Sequence, residues 1–176
     1  ACPAPEAARL LDEHVPEAAR ELRGVEYADT ALVTMALPAS AFPKPLTGTG
    51  FLVPSGEGLT IKAATFSSNK WPWLAEELAK VNPGEDLVVR RCSAQRSTDR
   101  VATRRTAEEL VRASLPDLPR VTGLTGAPVQ TRVTRWVGGL PQYTVGHAAR
   151  IDRIRDSVEP HRGLGVCGAA YGGVGV

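Results

Sequence analysis

The sequence predicts an α+β fold with a mixed sheet and helices, and two observations support this prediction. Alternating apolar segments rich in β-branched residues recur between helical segments, and the turn SGEG joins two short strand-like segments into a hairpin. Because hairpins connect some strands and helices connect others, the pattern differs from that of a parallel, doubly wound sheet. The 176 residues suffice for one domain or two small ones.

The first half of the chain opens with a helical region over residues 5–24. Pro5 suits a first helical turn, Pro16 restarts or kinks the helix, and Gly24 is a natural stop. Alternation then predicts a strand with one buried face. The elements that follow are that strand over 25–37, a proline-rich loop over 38–49, a hairpin of strands over 50–54 and 59–68, a helix over 71–81 and a strand over 87–94.

The second half of the chain begins with a polar loop over 95–105. Thr106 and Glu109 have the spacing of a capping box, so a helix begins there and runs to Leu115, where the sequence PDLP breaks it. The remaining predicted elements are a strand over 127–136, a Gly/Pro loop over 137–146, an amphipathic helix over 147–158 and a final buried strand over 163–170.

Composition excludes several functional classes. The net charge of +2, from 21 basic and 19 acidic residues, argues against a dedicated nucleic-acid-binding protein, and there is no apolar run long enough to cross a bilayer. Cys2, Cys92 and Cys167 form no CxxC motif, which favours reduced thiols and a cytoplasmic location, and the three histidines lack metal-ligand spacing. The chain begins with neither Met nor a signal-peptide pattern, so we expect it to be a piece of a longer protein.

Two polar stretches are more consistent with structural roles than with chemistry. Six arginines against one acid over residues 90–105 allow an anion or nucleic-acid patch, but a near-neutral chain with few aromatic residues favours a solvated loop. Ser68 and Lys70 allow a nucleophile with a base, but no oxyanion motif accompanies them. We therefore expect Trp71 and Trp73 to pack at a strand-to-helix corner.

The stretch RWVGGLPQYTVGH is the densest unusual segment. Glycines and a proline constrain its path, while Trp136, Tyr143 and His147 supply large groups with polar atoms. A loop of this kind often lines a ligand site, yet His147 also begins a helix and could cap it, and the residues leave both possibilities open. The Gly-rich end, AAYGGVGV, is by itself a weak sign of a ligand-binding turn.

Taken together, GTGFLVP, TIKAATFSSNKW, RW followed by LPQYTVGH, and GAAYGGVGV resemble the C-terminal part of the oxygen-dependent porphyrinogen oxidases, most closely those of the actinobacterial, Gram-positive type. The resemblance implies a partial flavin amine oxidase fold. It also implies FAD-dependent oxidation of coproporphyrinogen III or protoporphyrinogen IX in haem biosynthesis, with O2 as acceptor and H2O2 as product. The implied organisation is a tail of the FAD domain over 1–24, a substrate-binding portion over 25–146 and a C-terminal FAD-domain portion over 147–176.

The resemblance also implies residue roles. It implies no catalytic side chain and no metal ligand, which agrees with the absence of an acid–base pair in the sequence, and it gives Tyr143 and His147 structural roles. The residues implied to contact FAD are Trp136, Ala169, Gly173, Val174, Gly175 and Val176. The residues implied to line the substrate cleft are Thr49, Gly50, Leu52 and Leu140.

Several departures from the family pattern limit these expectations. No GxGxxG motif occurs, Gln95 and Arg96 stand where relatives commonly have Gly-Arg, and Gly172 replaces a common acidic residue. We therefore expect a fragment that binds FAD weakly or not at all. Another flavin amine oxidase or desaturase and a non-enzymatic porphyrin-binding module are the alternatives. The choice between the two porphyrinogens, a peripheral membrane contact and the oligomeric state stay open.

Overall fold

The computed structural model describes residues 2–54, 56–94 and 104–173, and the chain divides into two compact units. Unit 1 consists of residues 1–28 and 138–176, and unit 2 consists of residues 29–137. Helices and a five-stranded sheet confirm the predicted α+β class. Most of the predicted polar loop over 95–105 lies outside the described residues.

Seven described helices and five strands make up the fold. The helices are α1 (Ala4–Leu11), α2 (Pro16–Arg23), α3 (Ser67–Lys70), α4 (Trp73–Val81), α5 (Ala107–Ser114), α6 (Asp117–Thr122) and α7 (His147–Val158). The strands are β1 (Tyr27–Pro38), β2 (Gly50–Leu52), β3 (Ala63–Phe66), β4 (Leu87–Ser93) and β5 (Gln130–Pro141). A short 3-10 turn, Ala39–Ala41, follows β1.

The sheet has the strand order β2-β3-β4-β1-β5, and the pairs β2–β3, β3–β4 and β4–β1 are antiparallel. Successive side chains of a strand point to opposite faces of the sheet. In β1 the odd-numbered positions from Ala31 to Leu37 are buried, whereas Leu32, Thr34 and Ala36 are only half-buried. One face of the sheet therefore carries the core of unit 2, and the other is more open.

Asp117 ties this core to a loop that has no regular structure. Its buried carboxylate accepts hydrogen bonds from the backbone N–H groups of Thr60 (2.7 Å) and Ile61 (2.9 Å). The Cys92 thiol is fully buried, and its burial, with the charge of Asp117, raises its pKa to about 12. Cys92 therefore stays protonated at neutral pH and acts as a packing residue.

Unit 1 packs α1, α2 and α7 around apolar residues that include Leu22, Ile151 and Ile154. Arg153 donates two hydrogen bonds of 2.9 Å to the Glu21 carboxylate, and these bonds hold the pKa of Glu21 below its ordinary value. Arg150 donates to the carbonyl of Gly24 at 2.7 Å, next to the end of α2. These contacts set the position of α7 against α2.

Several local predictions are confirmed. Pro16 restarts the helix, because α2 begins at that residue after a break. Thr106 and Glu109 form the predicted capping box at α5. The hairpin of β2 and β3 is also present, although its strands are shorter than predicted.

The predicted final strand over 163–170 is wrong. No strand of the described residues pairs with this segment, and Gly163 (φ +85°) and Gly168 (φ +130°) have conformations that an extended strand does not use. Leu164 and Cys167 are exposed rather than buried. An apolar run becomes a strand only when a neighbouring strand satisfies its backbone groups.

Two further boundaries differ from the predictions. The helix α5 ends at Ser114, close to the predicted end at Leu115, but a second helix, α6, begins within PDLP at Asp117. A proline in a first helical turn is tolerated because it lacks an N–H that would be unpaired there anyway. The predicted loop over 137–146 is in part strand, since β5 continues through Gly138 (φ +56°) to Pro141. Pairing with the neighbouring strand overrides the local preference of the glycines for a loop.

Candidate functional site

Tyr143 organises the Gly-rich turn of unit 1. Its hydroxyl donates a short hydrogen bond to the carbonyl of Ala169 and accepts one from the N–H of Gly173 at 2.8 Å. A phenolic hydroxyl can donate and accept at the same time, so one side chain holds both ends of this five-residue turn. The turn therefore has a defined shape although its sequence is rich in glycine.

The ring of His147 packs against the ring of Tyr143. The two rings are stacked with centroids 4.0 Å apart and planes 11° from parallel. His147 does not cap α7, so that alternative is wrong; the cap residue is Gly146, at φ +87°. The His147 side chain is buried, and neither ring nitrogen has a hydrogen-bond partner among the described residues. Ligand lining by His147 stays a prediction.

The turn offers an open backbone surface over a buried support. Ala169 and Gly173 are exposed, whereas Ala170 and Tyr171 between them are buried. A Cβ added to Gly173 (φ +143°) would meet no atom of the described residues within 4 Å, so none of them obstructs the space beside this backbone. Burial raises the pKa of the Tyr171 hydroxyl, and Cys2, Tyr27 and Cys167 add to the shift. Val174, Gly175 and Val176 lie outside the described residues.

A small cavity of about 260 Å³ lies beside Tyr171 in unit 1. Its walls are mainly apolar, and they include Cys2, Leu10, Leu11, Val166 and Cys167. Both of these cysteines are free thiols. Among the described residues no group of three or more His, Cys, Asp or Glu side chains could hold a metal ion.

Removal of the Tyr143 hydroxyl should loosen the turn without unfolding unit 1. In Tyr143→Phe the Gly173 N–H loses its partner, and we expect a stability loss of about 1 kcal/mol because the site is near solvent. Hydrogen exchange at the Gly173 amide, followed by NMR, should become faster. Tyr27→Phe is the matched control, since the Tyr27 hydroxyl also accepts a backbone hydrogen bond in unit 1, from the Ala4 N–H. Unchanged Gly173 exchange in Tyr143→Phe would contradict the role given to the hydroxyl.

Strand β5 carries two predicted site residues, which fall in different units. Trp136, in unit 2, is 54% exposed, and Leu140, in unit 1, is 37% exposed. An exposed indole and an exposed leucine are suitable for contact with a flat ligand. The structure does not bury either residue in a core, and their contacts with FAD and substrate stay predictions.

Thr49, Gly50 and Leu52 lie together on the edge hairpin of unit 2. The carbonyl of Thr49 accepts from the N–H of Phe66 at 2.8 Å, and Leu52 is 83% exposed. Close packing requires glycine at position 50 (φ +148°), because an added Cβ would lie 2.2 Å from the Ala64 carbonyl oxygen. The structure thus brings these three residues together, and substrate lining stays a prediction.

The arginine stretch is not simply a solvated loop, since Arg90 and Arg91 belong to β4. The buried guanidinium of Arg90 lies between the rings of Phe42 (5.3 Å) and Phe66 (5.0 Å), and burial lowers its pKa. Its Nε has no hydrogen-bond partner among the described residues. Arg91 projects to the opposite face of the sheet. The alternation of Val88, Arg90 and Cys92 could have indicated that Arg90 faces the core. Its contact with Phe42 was not predictable, because Phe42 is remote in sequence.

The segment TFSSNKWPW also differs in part from expectation. Ser68 and Lys70 do not form a nucleophile–base pair. The Ser68 hydroxyl accepts a hydrogen bond from the Val89 N–H at 2.8 Å, whereas the Lys70 ammonium lies 4.9 Å from the centre of the Trp71 ring. The preferred alternative was that both tryptophans pack, and this is wrong for Trp73, which is 58% exposed. No residue of α4 is buried, which agrees with the exposure of Trp73.

Comparison with known proteins supplies the family. Coproporphyrinogen III oxidase of Mycobacterium leprae is 34% identical over 177 aligned residues, which cover 100% of this chain and 36% of that protein. The enzyme of the same name from Bacillus subtilis is 30% identical over 171 residues, covering 97% of this chain and 34% of that protein. The chain is related along its whole length to the coproporphyrinogen III oxidases. The resemblance found in the sequence motifs is thereby confirmed.

The solved structures agree with this relationship to coproporphyrinogen III oxidase. A candidate protoporphyrinogen oxidase from Exiguobacterium sp. 255-15 matches 99% of the chain with a TM-score of 0.74 and 34% identity, over 36% of that chain. A reduced UDP-galactopyranose mutase matches with a TM-score of 0.62 at 14% identity, which indicates a shared fold alone. No protein-family model matches the chain. The chain spans about a third of the length of the coproporphyrinogen III oxidases it matches.

Proposed function

We propose that this chain supplies part of the substrate and cofactor sites of an FAD-dependent oxidase that converts coproporphyrinogen III or protoporphyrinogen IX into the porphyrin in haem biosynthesis. The observation that carries the proposal is the turn held by Tyr143, because it occurs within a chain related from end to end to coproporphyrinogen III oxidases. The assignment of 25–146 to a substrate domain, with 1–24 and 147–176 belonging to an FAD domain, is part of the same proposal. So is a cytoplasmic location; within the described residues every helix is too short or too polar to cross a bilayer.

The residues at the turn suit FAD in three respects. The backbone at Gly173 is exposed with free space beside it, Ala169 is small and exposed, and the Tyr143 hydroxyl fixes the separation of the two. Trp136 offers an exposed aromatic surface. Glycine and alanine permit a flat ring to approach the backbone closely. In the proposal these residues and Val174, Gly175 and Val176 hold the cofactor.

FAD supplies the redox chemistry when it is bound, since it can accept hydride equivalents from a porphyrinogen and pass them to O2 as H2O2. The residues of this chain then serve to position the cofactor and the macrocycle. In the proposal Leu52 and Leu140, which belong to different units, each contact the macrocycle, as do Thr49 and Gly50 on the hairpin that carries Leu52. No side chain of the chain is assigned a proton-transfer step, in agreement with the lack of an acid–base pair in the sequence.

The test is an oxidation assay on the longest in-frame product of the gene that encodes these residues. Coproporphyrinogen III and protoporphyrinogen IX are supplied separately in air with FAD, and porphyrin fluorescence and H2O2 are recorded. We expect porphyrin formation that requires both FAD and O2. A product that binds FAD but oxidises an amine or desaturates a carotenoid instead would overturn the proposal.

The 176-residue chain alone should bind FAD weakly or not at all. Its sequence lacks the Gly-rich turn before a helix that binds the pyrophosphate of dinucleotides, so only contacts with the ring system remain. Purified chain incubated with FAD and passed through a desalting column should show no flavin absorbance. Retention of flavin in a 1:1 ratio would contradict this expectation.

A further inference from the structure

We propose that Arg91 anchors a carboxylate of a flat macrocyclic ligand that lies on the open face of the unit 2 sheet. The open face consists of the outward residues of four neighbouring strands: Leu32, Thr34, Gly50, Leu52, Ala63, Thr65, Arg91 and Ser93. The inference rests on the proposed function, which identifies the ligand as a porphyrinogen, and it adds the residue that binds a carboxylate of that ligand. Nothing in the family resemblance or in the comparisons assigns a role to Arg91.

The strand registers place Arg91 at the centre of this face. Thr34 pairs with Arg91, Arg91 with Thr65, and Thr65 with Gly50, so these four residues form one row across β1, β4, β3 and β2. The next row along the strands holds Leu32, Ser93, Ala63 and Leu52 in the same order. Three strand spacings make the rows about 14 Å wide, enough for a macrocycle to lie across them.

Arg91 has no anionic partner among the residues that the structure describes. No carboxylate of the described residues forms an ion pair or hydrogen bond with it, although it is half-buried. A guanidinium presents parallel N–H donors that match the two oxygens of a carboxylate, and partial burial strengthens such a pair. The hydroxyls of Thr34 and Thr65 stand on either side and can donate further hydrogen bonds.

The rest of the open face is suited to a flat apolar body. Leu52 is 83% exposed, Leu32 is half-buried, and Ala63 and Gly50 are too small to obstruct a ring. Gly50 and Leu52 are also residues of the predicted substrate cleft. A ligand that combines an apolar ring with peripheral carboxylates can contact the leucines with its ring and the Arg91 guanidinium with a carboxylate, and a porphyrinogen is of this class.

Arg90 provides a matched control on the neighbouring position. It carries the same charge but faces the core, where Phe42 and Phe66 enclose its guanidinium. Arg90→Met keeps an unbranched side chain between the two rings, so it removes one positive charge without altering the open face. A general loss of positive charge would affect both variants alike, whereas a carboxylate anchor affects only Arg91.

The experiment measures binding of coproporphyrin III, the stable oxidised form, to the 176-residue chain by fluorescence quenching. The tetramethyl ester of the same porphyrin serves as the ligand without carboxylates. We expect the wild-type chain and Arg90→Met to bind the tetra-acid more tightly than the ester. Arg91→Gln should weaken tetra-acid binding about tenfold and leave ester binding unchanged, and Arg91→Lys should fall between the two.

Equal binding of acid and ester by the wild-type chain, an unchanged affinity in Arg91→Gln, or an absence of tetra-acid binding would each overturn the proposal. Circular dichroism melts show whether each variant is folded. If Arg91→Gln does not fold, the tetra-acid affinity of Arg91→Lys tests the proposal in its place, and an unchanged affinity would overturn it. Failure of the proposed function can be distinguished from failure of the anchor. If the longest gene product oxidises no porphyrinogen but the chain still binds the tetra-acid through Arg91, only the proposed function fails. Conversely, oxidation with the same KM in Arg91→Gln would overturn only the anchor.

Discussion

Gly50→Ala is expected to destabilise unit 2 by about 3 kcal/mol, because the new methyl group would lie against the backbone of the next strand. The added Cβ would be only 2.2 Å from the Ala64 carbonyl oxygen, and the backbone at φ +148° is one that L side chains rarely adopt. Since the obstructing atom belongs to the backbone of β3, it cannot turn away as a side chain could. Chemical denaturation of the chain, followed by circular dichroism, measures the loss.

Gly48→Ala separates the two causes. Gly48 also has a positive φ of +77°, but an added Cβ there meets nothing within 4 Å. The control should therefore cost only the conformational strain of about 1 kcal/mol. Similar losses in the two variants would show that the close approach to Ala64 is relieved at little cost. If the expected difference is found, a loss of activity at Gly50 cannot be interpreted as a lost contact with substrate.

Asp117→Ala is expected to cost about 3 kcal/mol, because it leaves two backbone donors without their acceptor. The N–H groups of Thr60 and Ile61 both bond to one carboxylate oxygen, and Ile61 is fully buried. Water cannot easily replace the carboxylate at the Ile61 amide. Thermal unfolding and hydrogen exchange at Thr60 and Ile61 together measure the effect, since both amides should exchange faster.

Asp117→Asn is the control for charge. Its amide oxygen can still accept from both N–H groups, so we expect a loss nearer 1 kcal/mol, the difference between a charged and a neutral acceptor. The charge of Asp117 also contributes to the raised pKa of Cys92, so either substitution should lower that pKa, while burial keeps it above its ordinary value. An unfolding curve of Asp117→Ala that coincides with that of the wild type would contradict the role of the carboxylate.

Features that depend on neighbours in sequence were predictable. The capping box needs only Thr106 and Glu109, three residues apart, and the restart at Pro16 follows from its missing N–H. The helix over 147–158 has the predicted bounds because apolar residues recur on one face. The motif resemblance is of the same local kind, and it led to the family that full-length comparison confirms.

Features that depend on distant partners were not predictable. The segment over 163–170 has the composition of a buried strand, but no described strand pairs with it. The reverse holds for residues 137–141, which read as a loop and became strand because a neighbouring strand was available. Arg90 is buried only because Phe42 and Phe66, from two other segments, enclose it.

The amino-acid sequence by itself determined the α+β class, most helix positions and the relationship to porphyrinogen oxidases, since each follows from short-range pattern. Only the tertiary structure decided that Tyr143 joins Ala169 to Gly173, and that Arg90 and Arg91 belong to opposite faces of one sheet with different surroundings. The physical reason is that hydrogen-bond satisfaction and burial are properties of residues brought together from remote parts of the chain. A Gly-rich turn indicates that a ligand could approach, and the side chains that close around the turn decide its shape.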